Sequence, residues 1–133
     1  MSLPAFPVLI CEKHLDTFGH VNNAVYLELY EEARWEIITA GGFGLGDIRR
    51  MGLGPVVLEV NVKFIRELKL REKISITTEI VSYEGKIGKM LQQMTLPDGT
   101  VASEALFVFG LFDLTARKLV EPTPEWKTAI GIL

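Results

Sequence analysis

The stretch HLDTFGHVNNAVYLELYEEAR, residues His14 to Arg34, changes periodicity partway along, and that change sets the fold. From Asn23 onward Tyr26, Leu29, Tyr30, Ala33, Ile37 and Ala40 fall on one stripe, with Glu28, Glu32 and Thr39 opposite. This is the spacing of a helix with one buried face. Gly41-Gly42 should end it, which gives a helix of about 18 residues and about 27 Å, enough to cross the width of a small sheet. Trp35, Ala24, Ile38 and Leu27 widen its apolar surface, so most of the helix should be enclosed by protein. Before the helix, Asp16, Gly19, His20, Asn22 and Asn23 crowd into one turn.

Working outward, Phe6 to Lys13 alternates as a first strand, and it should be covered on both faces. Beyond the helix, glycines mark Phe43 to Gly54 as a loop with one short helical turn. Pro55 should open a strand in which Val56, Leu58, Val60, Val62 and Phe64 alternate with Glu59, Asn61 and Lys63. Ile74, Ile76 and Ile80 mark the buried side of the next strand. Tyr83-Glu84-Gly85-Lys86 and Pro97-Asp98-Gly99-Thr100 are hairpin signals around a strand from about Ile87 to Leu96. The last strand carries Val101, Ala105, Phe107, Phe109 and Leu111 on one face and Leu106, Val108 and Phe112 on the other. Both faces need cover, yet one helix can cover only one. The segregated helix and strands predict an α+β fold with a mainly antiparallel five-stranded sheet, and the uncovered face predicts a second copy of the chain. Ser2 to Pro4 and the tail after Pro124 look peripheral.

The 133 residues suit a single domain, 1–133, and 48% hydrophobic with 23% charged residues is the balance of a globular chain. A net charge of -3 argues against a nucleic-acid surface, and no apolar run reaches membrane-spanning length. The single cysteine, Cys11, and the lack of a secretory leader pattern point to a cytoplasmic protein. One basic cluster stands out: Lys63, Arg66, Lys69, Arg71 and Lys73. It suits either an anionic ligand or a solvated strand end.

The turn before the helix holds the chemistry. The first N–H groups of the helix, near Asn23, have no helical acceptor and carry the positive end of the helix dipole. They would polarise a bound carbonyl, while Asp16 could attack its carbon or activate a water. That pairing is what acyl transfer requires. The same residues also suit a plain helix start, with Asn22 or Asn23 as cap, Gly19 as turn glycine and Asp16 and His20 bonded locally. A metal site formed by Glu12, His14, Asp16 and His20 has no strong ligand spacing, and neither a nucleophile elbow nor a phosphate or dinucleotide loop occurs. No metal and no cofactor are expected.

The run Asp16-Thr-Phe-Gly19-His20-Val-Asn22-Asn23-Ala-Val-Tyr26, followed by Glu31 and Arg34, resembles the signature of hotdog-fold acyl-CoA thioesterases of the 4-hydroxybenzoyl-CoA thioesterase type. His20 and Asn22 match the acyl-carrier-protein thioesterase version of the turn more closely. The resemblance extends along nearly the whole chain and implies an antiparallel sheet wrapped around one long central helix. It also implies dimers, or dimers of dimers, with active sites at the subunit interface. By that resemblance Asp16 is the catalytic carboxylate, the Asn23 N–H polarises the thioester carbonyl, and His20 and Asn22 orient water, substrate or Asp16. Gly19 and Tyr26 would contact substrate. Arg66, Lys69, Arg71, Lys86 and Lys89 would hold the CoA phosphates or dock an acidic carrier protein, and the acyl pocket would lie near the helix start and its following loop. Glu31 and Arg34, three apart, would form a structural ion pair. A non-catalytic acyl-CoA-binding module of the same fold is the competing reading.

Overall fold

The computed structural model describes residues 3–132. In chain order these form β1 (Phe6–Leu9), a 3-10 turn (Glu12–His14), α1 (Asn23–Ala40), α2 (Leu45–Met51), β2 (Leu53–Phe64), β3 (Lys73–Glu84), β4 (Ile87–Thr95), β5 (Val101–Asp113), β6 (Lys118–Val120) and α3 (Pro124–Ala129). Every strand pair is antiparallel, in the order β1-β3-β4-β5-β2, with short β6 added beside β5. The sheet curls around α1 in the hotdog arrangement, and the core lies between them.

Helix α1 starts where the sequence places it because Asn22 caps it: the Asn22 Oδ1 accepts the Ala24 N–H at 2.9 Å, a contact worth about 1 kcal/mol. Tyr26, Leu29, Tyr30, Ala33, Ile37 and Ile38 are its buried residues. Each such large apolar side chain contributes roughly 1.5–3 kcal/mol when fully buried. Ala40, expected on the same stripe, is exposed. The helix ends at Gly41 for a packing reason. A Cβ at Gly41 would stand 2.6 Å from the Cβ of Ala129, so glycine is what lets α3 lie against the end of α1.

The first strand is shorter than its pattern suggests. His14 Nδ1 accepts the Cys11 N–H at 2.8 Å, which pulls Glu12–His14 into the 3-10 turn and ends β1 at Leu9. Pro7 and Leu9 are exposed, so β1 is not covered on both faces. Strand β2 begins at Leu53, before Pro55, because α2 occupies most of the glycine-rich stretch. Its alternation is broken by a bulge: the pairing with β5 shifts between Val57 and Glu59. In the single chain Val57, Leu58, Val60 and Phe64 are all exposed on this edge strand.

The C-terminal region departs most from expectation. Residues after Pro124 are not peripheral: Thr123 Oγ1 caps α3 by accepting the Trp126 N–H at 3.1 Å, and Pro124 sits at the first turn, where a missing N–H costs nothing. This docks Trp126, 1% exposed, edge-on against Phe43 with ring centroids 4.9 Å apart. A helix of six residues is too short to show a helical period in sequence. At the other end Leu3 packs against the core, and Ser2 lies outside the described residues. Helix α3 packs on the α1 side of the sheet, so the opposite face of β5, with Leu106 exposed and Val108 and Phe112 half-buried, stays open in one chain.

Candidate active site

The turn between the 3-10 segment and α1 is a small hairpin. Asp16 N–H donates to His20 O at 2.8 Å, Leu15 bridges Val21, and Asn22 N–H reaches His14 O at 3.4 Å. At its tip the Gly19 N–H closes on Asp16 O at 3.1 Å, with Gly19 at φ +81, the left-handed region that a side chain disfavours. The Asp16 carboxylate is half-buried. Its Oδ1 accepts the Phe18 N–H at 2.8 Å and the His20 N–H at 3.2 Å, whereas Oδ2 has no partner among the described residues. The locally bonded carboxylate and the capping asparagine foreseen for a plain helix start are therefore both present.

The capping pattern leaves one donor over. Ala24 N–H goes to the Asn22 side chain and Val25 N–H to Asn22 O at 2.9 Å, but the Asn23 N–H meets no acceptor among the described residues. An open donor at the start of an 18-residue helix is suited to hold an oxygen that gains negative charge.

Two neighbours come from the loop between β2 and β3. His20 Nδ1 lies 2.8 Å from Glu67 Oε1; since a carboxylate only accepts, Nδ1–H donates, and Nε2 is the acceptor of the neutral ring. Glu67 carries no motif and was not legible in the sequence. Tyr26 is only 5% exposed, with its ring edge-on to Phe64 at 4.9 Å and its hydroxyl beside the Leu68 backbone. Burial raises its phenol above the usual 10.0. In one chain Tyr26 thus anchors this loop and faces the core.

The basic residues fall into two groups, Arg66, Lys69 and Arg71 in the loop between β2 and β3 and Lys86 and Lys89 beyond β3. Arg66 pairs with Glu72 at 2.9 Å and Arg71 with Glu12 at 2.7 Å, while the Lys69 backbone N–H is bonded to Glu72. Lys86 and Lys89 belong to the hairpin at the other end of β3, roughly 30 Å away along the strand. Glu12, His14 and Asp16 do not share a strand face, and no cluster able to hold a metal occurs among the described residues.

A cavity of about 330 Å³ lies between the second half of α1 and the sheet. Trp35 and Ile38 of α1, Ile80, Met90 and Phe109 of the sheet and Trp126 of α3 are among its lining residues. It lies beside residues 31–38 of α1, whereas Tyr26, Leu29 and Tyr30 of the first half turn their side chains into the core. One wall is polar. Arg34 does not pair with Glu31; its NH1 donates to Gln92 Oε1 at 3.0 Å and its guanidinium stacks 4.4 Å over Phe107. Gln92 is fully buried and donates in turn to Tyr30 O at 3.2 Å and Thr78 Oγ1 at 3.1 Å.

Known proteins share this fold. The family model for the thioesterase-like superfamily matches residues 12–130. The long-chain acyl-CoA thioesterase FadM of Escherichia coli is 36% identical over 107 residues, covering 79% of this chain and 80% of FadM. Among solved structures, the probable thioesterase YbaW of Escherichia coli superposes with a TM-score of 0.80 at 30% identity over 96% of each chain. A hypothetical Staphylococcus aureus protein solved in complex with CoA superposes at 0.89 over 98% of this chain and 84% of its own; at 19% identity it attests the fold alone. With a match that spans the turn before α1, both α1 and α3, and every strand after β1, the chain belongs to the thioesterase-like superfamily.

Proposed function

We propose that this chain hydrolyses acyl-CoA thioesters to the free acid and CoA. Asp16 acts on the thioester carbon, as nucleophile or through a water, while the Asn23 N–H holds the carbonyl oxygen as it becomes an oxyanion. The thiolate of CoA leaves, and His20, held by Glu67, orients water or the carboxylate. The observation that carries this reading is the unsatisfied Asn23 N–H in a turn that also leaves Asp16 Oδ2 free. Long acyl chains are the first substrates to try, given the likeness to FadM and the largely apolar cavity beside α1.

Asp16→Asn is the direct test. The amide oxygen can still accept the Phe18 and His20 N–H groups, so the variant should fold, while thiol release from acyl-CoA should fall by about 10²–10⁴-fold. Unchanged release from the folded variant refutes the role of Asp16.

The working unit is a dimer in this reading. Strand β2 is an edge of 12 residues with exposed Val57, Leu58, Val60 and Phe64, a surface that ordinarily pairs or aggregates. A second copy would pair with it and complete the substrate channel. Sedimentation equilibrium should give twice the chain mass or a multiple of it, and a stable monomer at micromolar concentration contradicts this assembly.

A further inference from the structure

Arg34 sets a cationic group into the wall of a largely apolar cavity, where Glu31 and Thr78 are the other polar side chains. A guanidinium has five N–H donors in a fixed fork. One is taken by Gln92, Phe107 covers a face, and no carboxylate pairs with the group among the described residues. Thr78 lines the same cavity, and its hydroxyl accepts from the same Gln92 side chain, so its own proton remains to be donated. Two sets of donors therefore meet at one Gln92 side chain in the wall of the cavity.

From this juxtaposition we propose that the cavity selects acyl chains bearing a neutral acceptor oxygen, a hydroxyl or keto group, in their distal half, over plain hydrocarbon chains of equal length. The inference rests on the acyl-CoA thioesterase reading. A saturated chain would strip water from the free donors of Arg34 and Thr78 and give nothing back, whereas an oxygen at that depth replaces the lost water. Glu31 lines the same cavity, and its charge acts on Arg34. The Glu31 carboxylate repels a second carboxylate in the cavity, so a hydroxyl or keto oxygen suits the site better.

The depth follows from the helix. Arg34 is eleven residues beyond Asn23, about 16 Å at 1.5 Å per residue, and its side chain leans back toward the helix start, leaving roughly 12–16 Å from the carbonyl site. An extended chain advances about 1.2 Å per bond, the reach of a three-bond peptide unit divided by three. The oxygen should then sit roughly ten to thirteen bonds from the thioester carbon.

The test compares kcat/KM of the wild-type protein for octadecanoyl-CoA, 12-hydroxyoctadecanoyl-CoA, 3-hydroxyoctadecanoyl-CoA and octadecanedioyl-CoA. The expected result is a preference of about tenfold or more for the 12-hydroxy chain over the unsubstituted one, none for the 3-hydroxy chain, and collapse of the ratio toward one in Arg34→Met. Equal values for the first two substrates overturn the inference and leave the thioesterase reading intact; preference for the dicarboxylic chain overturns it as well. Hydrolysis of none of the four removes the thioesterase reading instead. In that case the shift in melting temperature given to the wild-type protein by free 12-hydroxyoctadecanoate against octadecanoate still probes the cavity, and equal shifts overturn the selectivity. The wild-type comparisons stand even if Arg34→Met does not fold.

Discussion

Replacing Asn23 by proline isolates the oxyanion donor from the fold. Asn23 is the first residue of α1, where proline is favoured, because its fixed φ is helical and its missing N–H has no helical acceptor to lose. Asn22, at φ -64 and ψ 142, already has the extended conformation that a following proline demands. The Asn23 side chain is exposed and makes no hydrogen bond among the described residues. Folding stability should therefore change by no more than about 1 kcal/mol, with either sign allowed by the gain in backbone rigidity. The transition state, by contrast, loses the donor at the carbonyl oxygen, and one such donor is typically worth about 2.7–4 kcal/mol, or roughly 10²–10³ in kcat. The assay is thiol release from a long-chain acyl-CoA, with urea denaturation of the same preparation to establish the fold. Asn23→Ala is the control, since it keeps the N–H, and it should retain activity within a few-fold. A folded Asn23→Pro with near wild-type kcat refutes the oxyanion assignment. Equal losses in both variants shift the role to the side chain.

Two further outcomes bear on parts the sequence did not reveal. Glu67→Ala should lower kcat several-fold with KM and melting temperature little changed, and Glu67→Gln, which can still accept from His20 Nδ1, should recover much of the loss; wild-type kcat in Glu67→Ala would show that the contact at 2.8 Å is only a surface pair. Trp126→Ala should cost about 3–5 kcal/mol in urea unfolding, because Trp126 is 1% exposed between Phe43 and Phe109; a loss under about 1 kcal/mol would mean that α3 is not part of the core.

The long elements were legible because their signals are periodic. An 18-residue helix repeats its buried face several times, and Asn22 and Gly41 punctuate it at both ends. β5 showed its two faces, and the Gly85 and Gly99 turns showed the hairpins flanking β4. What escaped depends on contacts distant in sequence or on single bonds. The strand expected through Lys13 stops at Leu9 because one imidazole nitrogen captures the Cys11 N–H. The bulge at Leu58 is set by pairing with β5, which strand alternation alone cannot reveal. At the site, Asp16, Asn22 and Asn23 were visible as a cluster because they are neighbours in the chain. Glu67 is 47 positions from His20 and Gln92 is 58 from Arg34, so only the folded chain introduces them. The ion pair of Glu31 and Arg34 was a local inference that a nonlocal one displaced: the buried amide of Gln92 and the face of Phe107 hold the guanidinium instead.

That displacement ties the two halves of the candidate site into one measuring device. In the proposed reading the carbonyl site is the first residue of α1 and Arg34 of the same helix lines the cavity, so the distance between them is fixed by helical rise and does not depend on loop conformation. Gln92 of β4 holds this helix against the sheet by two bonds, to Tyr30 O and Arg34, while a third, to Thr78 Oγ1 of β3, fixes its own amide. Sliding α1 by even one residue, about 1.5 Å, would break geometries that tolerate only a few tenths of an ångström and leave a buried amide unsatisfied at a cost of about 1–3 kcal/mol per group. The opposite end is fixed by contact, since Gly41 meets Ala129 with no room for a side chain. A helix so pinned cannot adjust its register to shorter or longer chains. In the proposed reading, chain selectivity then comes from what lines the cavity at a given depth, where Arg34, Glu31 and Thr78 are the polar side chains.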